Sequence, residues 1–383
     1  MIIPRINIAA DSYKDDLTAF SALPNQVLVV PTPDNDRLTD ILNNQHKDAY
    51  WIQPLAFDPQ DPLAQIHTLL DAGADKVVLP YAAFANTDLE SSFSHIPQER
   101  LAVTLTPTEF AHLDRLLATV SKGLLPRGGV KRVVASFASS TATPGLLAIS
   151  ELGRLGVDTQ LSTSVLSTGH EDGKLNLGEA FMATIVSDRP DGLFPTIVVD
   201  EQGISLGLVY SSLESVVESF RTRKGVYFSR TRGLWHKGAS SGSTQDLIKV
   251  HVDCDSDALQ FTVHQHGTGF CHNNIRGCFG PSSGLAHLDQ TLKSRKISAP
   301  AGSYTQRLFK DSNLVQSKIM EEAEELCEAK TPQDIAWETA DLFYFALVKC
   351  VANGVSLRDV EQQLENRSRK ITRRPGHAKP KWD

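Results

Sequence analysis

From Met1 to about Arg189, short β-branched and apolar runs alternate with longer segments whose apolar residues recur at three- and four-residue spacing. The short runs predict strands at Gln26–Val30, Trp51–Gln53, Lys76–Leu79, Leu101–Leu105 and Lys131–Ala135. The longer ones carry the helical period and predict helices at Asp34–Leu42, Leu63–Leu70, Glu109–Val120 and Gly145–Leu155. Strand and helix in turn is the order of βαβ units, so residues 1–189 are expected to form an α/β domain on a parallel sheet. The periodicity leaves open whether that sheet closes into a barrel. The turn-forming segment Ser187–Gly192 ends this texture, and short strands rich in Ser, Gly and His follow, which sets a second, α+β domain at 190–293. A second break falls at Ser294–Gly302, where apolar content is low. Beyond it, residues 294–383 read as an all-α helical bundle up to a basic tail, Arg373–Lys381, expected to be unstructured.

Composition narrows the function classes. A chain of 383 residues has room for two to four domains at roughly 100–200 residues each. With 41% hydrophobic and 22% charged residues it has the composition of a folded globular protein. Its 38 basic and 45 acidic residues give a net charge of -7, so no whole-chain field attracts nucleic acid or an anionic membrane. No apolar run of membrane-spanning length and no secretory leader pattern is found, and a cytoplasmic location is the expectation. The five cysteines, Cys254, Cys271, Cys278, Cys327 and Cys350, are odd in number and crowd the last third of the chain, which suits reduced thiols and metal ligation better than a disulfide framework.

The middle stretch concentrates chemistry. Ile248–Asp257 begins as a strand, and if it stays extended Asp253, Asp255 and Asp257 share one face while Cys254 points to the other. Three carboxylates on one face repel unless a cation neutralises them; hard oxygens suit Mg²⁺, whereas thiolate suits Zn²⁺. Cys271 and Cys278 follow in the glycine-punctuated GFCHNNIRGCFG. Three thiolates would leave an open position on zinc for an activated water, with His272 as a proton shuttle or further contact. The blander alternatives are a solvent-facing acidic turn and thiols that serve as small apolar fillers. Upstream, Ser229, Arg230, Arg232, Trp235, Lys237, Gly238, Ser241 and Gly242 combine forked cations, a point charge, hydroxyls and glycine-exposed amides, the groups that bind phosphate. A polar hairpin with solvated charges fits that segment equally well.

The ordered motifs SRTRGLWHKGASSGSTQ, VDCDSD and HGTGFCHNNIRGCF, spanning about Gly192 to Leu288, resemble phosphoribosyl-AMP cyclohydrolase. The resemblance implies a homodimer with active sites between subunits. It implies Mg²⁺ on Asp253, Asp255 and Asp257, and Zn²⁺ on Cys254, Cys271 and Cys278 with one Cys from one chain and two from the other. It further implies His272 as a proton-transfer residue and substrate contacts from the phosphate-type segment and Gln265. Two departures stand out: Ala239 occupies a position where bacterial members commonly carry an acid, and the interval from Cys254 to Cys271 is one residue longer.

In the last stretch, Glu322 and Glu325 share one face of an amphipathic helix over Leu314–Cys327. Glu338 and Asp341 interrupt an otherwise apolar helix at about Ile335–Ala352, where two acids are costly without a cation. A solvated acidic face explains the glutamates but not the acids among Trp337, Leu342, Phe343 and Tyr344. With SYTQRL, KIMEEAEEL and ETADLFYFALV, the spacing is similar to that of phosphoribosyl-ATP pyrophosphohydrolases over about Ser303 to Arg369. That resemblance implies Mg²⁺ on Glu322, Glu325, Glu338 and Asp341, catalytic roles for Glu322 and Glu325, Lys318 as a phosphate contact, and a dimeric bundle. Cys327 and Cys350 are expected to pack in the core.

Leu69–Phe84 weakly resembles the strand–loop units of the histidine-pathway phosphoribosyl barrel enzymes, but lacks their acids at the strand ends. A degenerate or partial barrel without catalytic function is therefore expected for residues 1–189. The order of the three stretches, with the terminal RRPGHAKPKW, is similar to the amino-terminal part of fungal multifunctional histidine-biosynthesis proteins, in which a histidinol dehydrogenase domain follows. The resulting expectation is a bifunctional hydrolase acting on phosphoribosyl-ATP and then phosphoribosyl-AMP. Two other readings compete with it: an inactive metal- and nucleotide-binding scaffold, which the intact ligand sets disfavour, and a housekeeping nucleoside-triphosphate pyrophosphatase, which leaves the thiol motif without a role.

Overall fold

The computed structural model describes residues 1–30, 36–44, 50–55, 61–82, 96–114, 132–137 and 143–372. It divides into two compact units, one of Met1–Cys278 with the stretch from Asn366, the other of Phe279–Glu365.

Seven parallel strands form a closed barrel: β1 (Ile2–Asn7), β2 (Gln26–Val30), β3 (Tyr50–Pro54), β4 (Lys76–Pro80), β5 (Leu101–Leu105), β6 (Arg132–Ser136) and β7 (Asp158–Ser162). Ile3, Val27, Val29, Trp51, Val78, Ala102 and Val134 fill the lumen, while alternate residues of the same strands pack outward against the helices. The sheet is therefore a closed ring of seven strands, one fewer than the eight of a full (β/α)₈ barrel, so the expected barrel-like domain is a closed one rather than an open part of one. Closure depends on β1 pairing with both β2 and β7, and neither β1 nor β7 was among the expected strands. The residues of β7, Asp-Thr-Gln-Leu-Ser, look polar, yet Gln160 is fully buried, its amide satisfied by Ser136 and Gln53 inside the lumen. The helix expected at Glu109–Val120 opens as a 3₁₀ turn, Pro107–His112, capped by Thr106 and Glu109; residues 115–120 of that expectation, Asp34, Lys131 and the tail from Arg373 lie outside the described residues.

After a two-residue ladder of β8 (Leu166–Ser167) and β9 (Leu175–Asn176), six strands build the central sheet. They are β10 (Phe194–Val199), β11 (Ser205–Ser211), β12 (Val226–Ser229), β13 (Gly233–His236), β14 (Gln245–Val252) and β15 (Leu259–Gln265), in the order β13-β12-β11-β10-β15-β14. Only the β10–β15 pair within this sheet is parallel. The expected break at 189/190 is a turn in the chain and not a break in packing. Ile2, Phe20, Leu23, Ile149 and Leu161 of the first stretch share one core with Phe181, Phe220, Tyr227, Phe261 and Val263. The rings of Phe181 and Phe220 meet edge to face at 5.5 Å. Backbone bonds reinforce this: the Val250 N–H donates to the Ala22 carbonyl at 2.8 Å, and the Val186 N–H to that of Ser256 at 3.1 Å.

The second unit contains helices Gly284–Ser298, Tyr304–Lys310, Ser312–Glu328 and Pro332–Ala352 and most of Leu357–Ser368. Its core is Leu292, Leu308, Val315, Phe345, Leu347, Val348, Val351 and Leu357. The boundary expected at 293/294 falls inside the first of these helices, and the unit begins at Phe279. Polar Ser294–Ser298 remains helical because its anchor is polar: Lys296 donates to the Val351 carbonyl at 2.8 Å at the end of helix Pro332–Ala352. Fully buried Asp289 likewise accepts the Leu357 N–H at 3.2 Å and pairs with Lys293 at 2.7 Å. No single described helix is long and apolar enough to cross a membrane.

The shared core predicts that barrel and central sheet unfold together. Phe181→Ala should lower the stability of that one transition by about 3–5 kcal/mol in urea. Separate transitions, of which the substitution moved only one, would contradict a common core.

Candidate active sites

The aspartate run does not stay extended. Strand β14 ends at Val252, and Ser256 takes φ 69° in the left-handed region, so the chain folds back on itself. One Asp253 carboxylate oxygen accepts the N–H groups of Asp257 at 3.0 Å and Ala258 at 3.1 Å. This tight loop, and not strand alternation, brings Asp253, Asp255 and Asp257 together, with one oxygen from each within 4.8 Å of the others. Burial pushes the Asp257 carboxyl above its ordinary value, helped by the charges of Asp255, Asp188 and Asp253. Burial also acts upward on Asp253, but the two N–H groups hold it below its ordinary value. Three convergent carboxylates are a hard-oxygen donor set, and they fit Mg²⁺.

Cys271 and Cys278 sit on a loop fixed at both ends. The Phe270 N–H donates to the Arg276 carbonyl at 2.8 Å and the Cys278 N–H to the Leu206 carbonyl at 2.7 Å. Between the cysteines, Arg276 pairs at 2.6 Å with Asp200, which is fully buried and also accepts the Gln202 and Ile204 N–H groups at 3.0 and 2.9 Å. The Phe270 ring lies over Gly207, where an added Cβ would stand 2.3 Å from it. Burial and the neighbouring Cys271 push the Cys278 thiol up. The ammonium of buried Lys237 is lowered by burial against the opposing pull of Cys278 and Cys271, which places it beside this thiol pair. The sulfurs of Cys254, Cys271 and Cys278 do not gather within 4.8 Å of one another in the single chain. Exposed His272 has its Nδ1 4.0 Å from the Cys271 sulfur.

The phosphate-type segment forms the β12–β13 turn and the loop after β13. Arg230 lies over Tyr210 at 5.0 Å and Arg232 over Trp235 at 5.1 Å, and neither makes an ion pair with a described carboxylate. Lys237 approaches the Trp235 and Phe270 rings at 6.0 and 5.2 Å and donates to the Ser243 carbonyl at 3.2 Å. Gly238, at φ 81°, leaves no room for a side chain, since a Cβ would meet the Ser243 carbonyl carbon at 2.3 Å. Ser241 accepts the Ser243 N–H at 3.3 Å, and Gly242 is also left-handed at φ 76°. Gln265 is turned inward. Its amide nitrogen donates to the carbonyls of His266 at 2.7 Å and Thr244 at 3.1 Å, and its oxygen accepts from Gln245 at 2.8 Å. It thus shapes the loop.

In the helical unit, buried Glu322 joins Glu325 and Glu338, again with oxygens within 4.8 Å of one another. Asp341, one turn beyond Glu338, is outside that set but acts on it: burial, then the charges of Glu325, Glu322 and Asp341, push the Glu338 carboxyl up. Lys318 donates to Glu321 and Glu322, both at 2.8 Å, and those bonds hold its ammonium above the ordinary value. The expected phosphate contact is therefore an ion-pair partner of the buried acid. Cys327 is exposed and Cys350 half-buried, which corrects the core expectation for Cys327; its helix buries only Val315 and Glu322 completely. The Asp200–Arg276 anchor and the Tyr210 platform were missed, because each partner lies far along the chain from the motif it supports.

Residues 207–280 match the phosphoribosyl-AMP cyclohydrolase family, and residues 285–368 match the phosphoribosyl-ATP pyrophosphohydrolase family. The chain is 48% identical over 278 residues to the histidine biosynthesis bifunctional protein of Schizosaccharomyces pombe, covering 72% of this chain and 66% of that one. It is 59% identical over 221 residues to the histidine biosynthesis trifunctional protein of Neurospora crassa, covering 58% of this chain but 25% of the longer protein. A histidine biosynthesis bifunctional protein of Prochlorococcus marinus is 37% identical over 199 residues, 46% of this chain and 90% of its own length. The chain thus spans just under two thirds of the fission-yeast relative and a quarter of the Neurospora one.

Repulsion at Glu338 gives a signed prediction. A carboxyl whose folded pKa is raised contributes stability that is fully present below its unfolded pKa and lost as pH rises through the folded one. Without Mg²⁺, Glu338→Gln should therefore melt higher than the parent at pH 7, and the gap should close as the pH falls below the glutamate range. Mg²⁺ should raise the melting temperature of the parent more than that of the variant. Parallel pH profiles with equal Mg²⁺ responses would contradict the arrangement.

Proposed function

The chain belongs to the histidine-biosynthesis bifunctional proteins, and from that premise we propose that it catalyses two consecutive hydrolyses. Phosphoribosyl-ATP loses pyrophosphate in the helical unit, and the resulting phosphoribosyl-AMP is opened at the N1–C6 bond of its purine ring in the central domain. The observation that carries this reading is the convergence of two separate acid clusters, each to within 4.8 Å, in two segments that match different families.

In the helical unit Glu322, Glu325, Glu338 and Asp341 would hold Mg²⁺, which supplies charge neutralisation to the triphosphate. Glu322 and Glu325 orient and deprotonate the water that attacks the α–β anhydride, and Lys318 holds the Glu322 side chain in place through its ion pair. In the central domain Asp253, Asp255 and Asp257 would hold Mg²⁺, and Cys271 and Cys278 of one chain with Cys254 of a second would hold Zn²⁺, which supplies Lewis acidity towards water. That the three sulfurs do not gather within 4.8 Å of one another in the single chain supports this sharing, and with it a homodimer.

Arg230 and Arg232, stacked on Tyr210 and Trp235 and without carboxylate partners among the described residues, present their forks to the substrate phosphates. Ser229, Ser241 and the amide at Gly238 add neutral donors, while Gln265 holds their loop in shape. His272 moves the proton: the water oxygen bonds to C6, the N1–C6 bond breaks, and the proton ends on N1.

A pair of variants dissociates the two activities. Cys271→Ala should lower bound zinc and ring opening together by at least about 100-fold while pyrophosphate release continues. Glu322→Gln should lower pyrophosphate release by roughly 10²–10³-fold and leave the ring opening of supplied phosphoribosyl-AMP intact. Normal zinc content in the first variant, or loss of both activities in either, would refute the assignment.

A further inference from the structure

The helical unit carries a group of charges opposite in sign to its glutamate cluster, and neither hydrolysis uses it. Helix Gly284–Ser298 has Arg295 and Lys296 in its last turn, and helix Tyr304–Lys310 ends on Lys310. A cavity of about 420 Å³ is lined by all three cations, by Gln306 and by the apolar side chains of Phe309 and Ile297, and no carboxylate lines it. Ala352, also on its wall, lies fourteen residues beyond Glu338 on one helix, which is about 21 Å at 1.5 Å per residue. The cavity is therefore separate from the acid cluster.

Helix dipoles favour cations in a last turn, but they do not account for three cations converging on one cavity. Elsewhere in the unit Lys293, Lys318 and Arg358 each pair with a carboxylate. Arg295 and Lys296 bond instead to neutral acceptors, which fix their positions and leave their charge uncompensated. Lys296 donates to the Val351 and Ala352 carbonyls at 2.8 and 3.1 Å. Arg295 donates at 3.2 Å to the hydroxyl of buried Thr305, whose oxygen lies 3.1 Å from the Tyr344 hydroxyl. Lys310 has no ion pair among the described residues. The Gln306 side-chain oxygen accepts the Gly302 N–H at 3.0 Å, which leaves its NH₂ as a donor. Gln306, Phe309 and Lys310 stand three and four residues apart on one helix, so an amide, a half-buried aromatic ring and a cation share one face.

We propose that this cavity binds a nucleoside monophosphate, with its phosphate on Arg295, Lys296 and Lys310 and its base against Phe309 and Ile297. A guanidinium fork and two point charges without an opposing acid suit a phosphate monoester. The aromatic ring suits the face of a base, and the volume lies within the roughly 300–1,000 Å³ of small-molecule sites.

The test titrates the full chain with its metals by calorimetry, using adenosine monophosphate, inorganic phosphate and adenosine in separate runs. Adenosine monophosphate also resembles the substrate proposed for the central domain, so the readout is the difference between parent and variant. The parent should show one class of monophosphate sites that Lys310→Gln weakens at least about tenfold and that the double variant Arg295→Gln, Lys310→Gln loses. Both hydrolytic rates, measured without added monophosphate, should be unchanged. The single variant serves if the double one does not fold, since Arg295 also holds Thr305. Inorganic phosphate should bind the same sites at least about tenfold more weakly than the nucleotide, and adenosine should leave them empty. Identical isotherms for parent and variants, or inorganic phosphate or adenosine binding these sites as tightly as the monophosphate, overturns the proposal.

Discussion

Like charges forced to contact distance are the constraint on which both candidate sites rest. Asp253, Asp255 and Asp257 would separate in a free chain, as would Glu322, Glu325 and Glu338. Each cluster is held by a device that does not yield. The aspartates are gathered by a turn whose backbone N–H groups bind Asp253, and the glutamates by two helices packed through Val315, Phe345 and Val348. Burial, reinforced by the neighbouring carboxylates, raises the carboxyls of Asp257 and Glu338. On the proposed function a divalent cation would offset the repulsion, so what costs stability without metal would prepare the site to bind one.

The barrel belongs to the same mechanical argument. It shares a core with the central sheet, and Val186, at the end of the first stretch, holds the carbonyl of Ser256 in the aspartate loop. The buried Asp200–Arg276 pair does for the thiol loop what the backbone bonds do for the aspartates. The first stretch is thus a platform for the central domain.

The chemistry was more legible in the sequence than the architecture that delivers it. Asp253–Asp257 and Glu322–Glu325 lie close along the chain, so their residue types and spacing expose the acid clusters directly. The path was less legible: the aspartates converge through a left-handed residue at Ser256, which strand alternation does not anticipate. Strand β7 escaped because its burial depends on lumen partners contributed by β3 and β6. The boundary at Phe279 escaped because Ser294–Ser298 is polar, and its helical state is secured by Lys296 reaching carbonyls more than fifty residues away. Lys318 and Gln265 were recognised as polar and placed near the chemistry, but their engagement with Glu322 and with loop carbonyls is a matter of three-dimensional proximity.

Cys271 and Cys278 interact in the single chain, but the three sulfurs do not form one group there, so the zinc site proposed above needs a second chain to complete it. Mixing the Cys254→Ala and Cys271→Ala variants after joint refolding, and measuring ring opening and bound zinc, tests that requirement most directly. Sharing between two chains predicts that each variant alone is inactive and that the mixture recovers roughly a quarter of the parental activity, since half the dimers are mixed and each has one intact site. No recovery in a mixture shown to contain mixed dimers, or full activity in either variant alone, would contradict it.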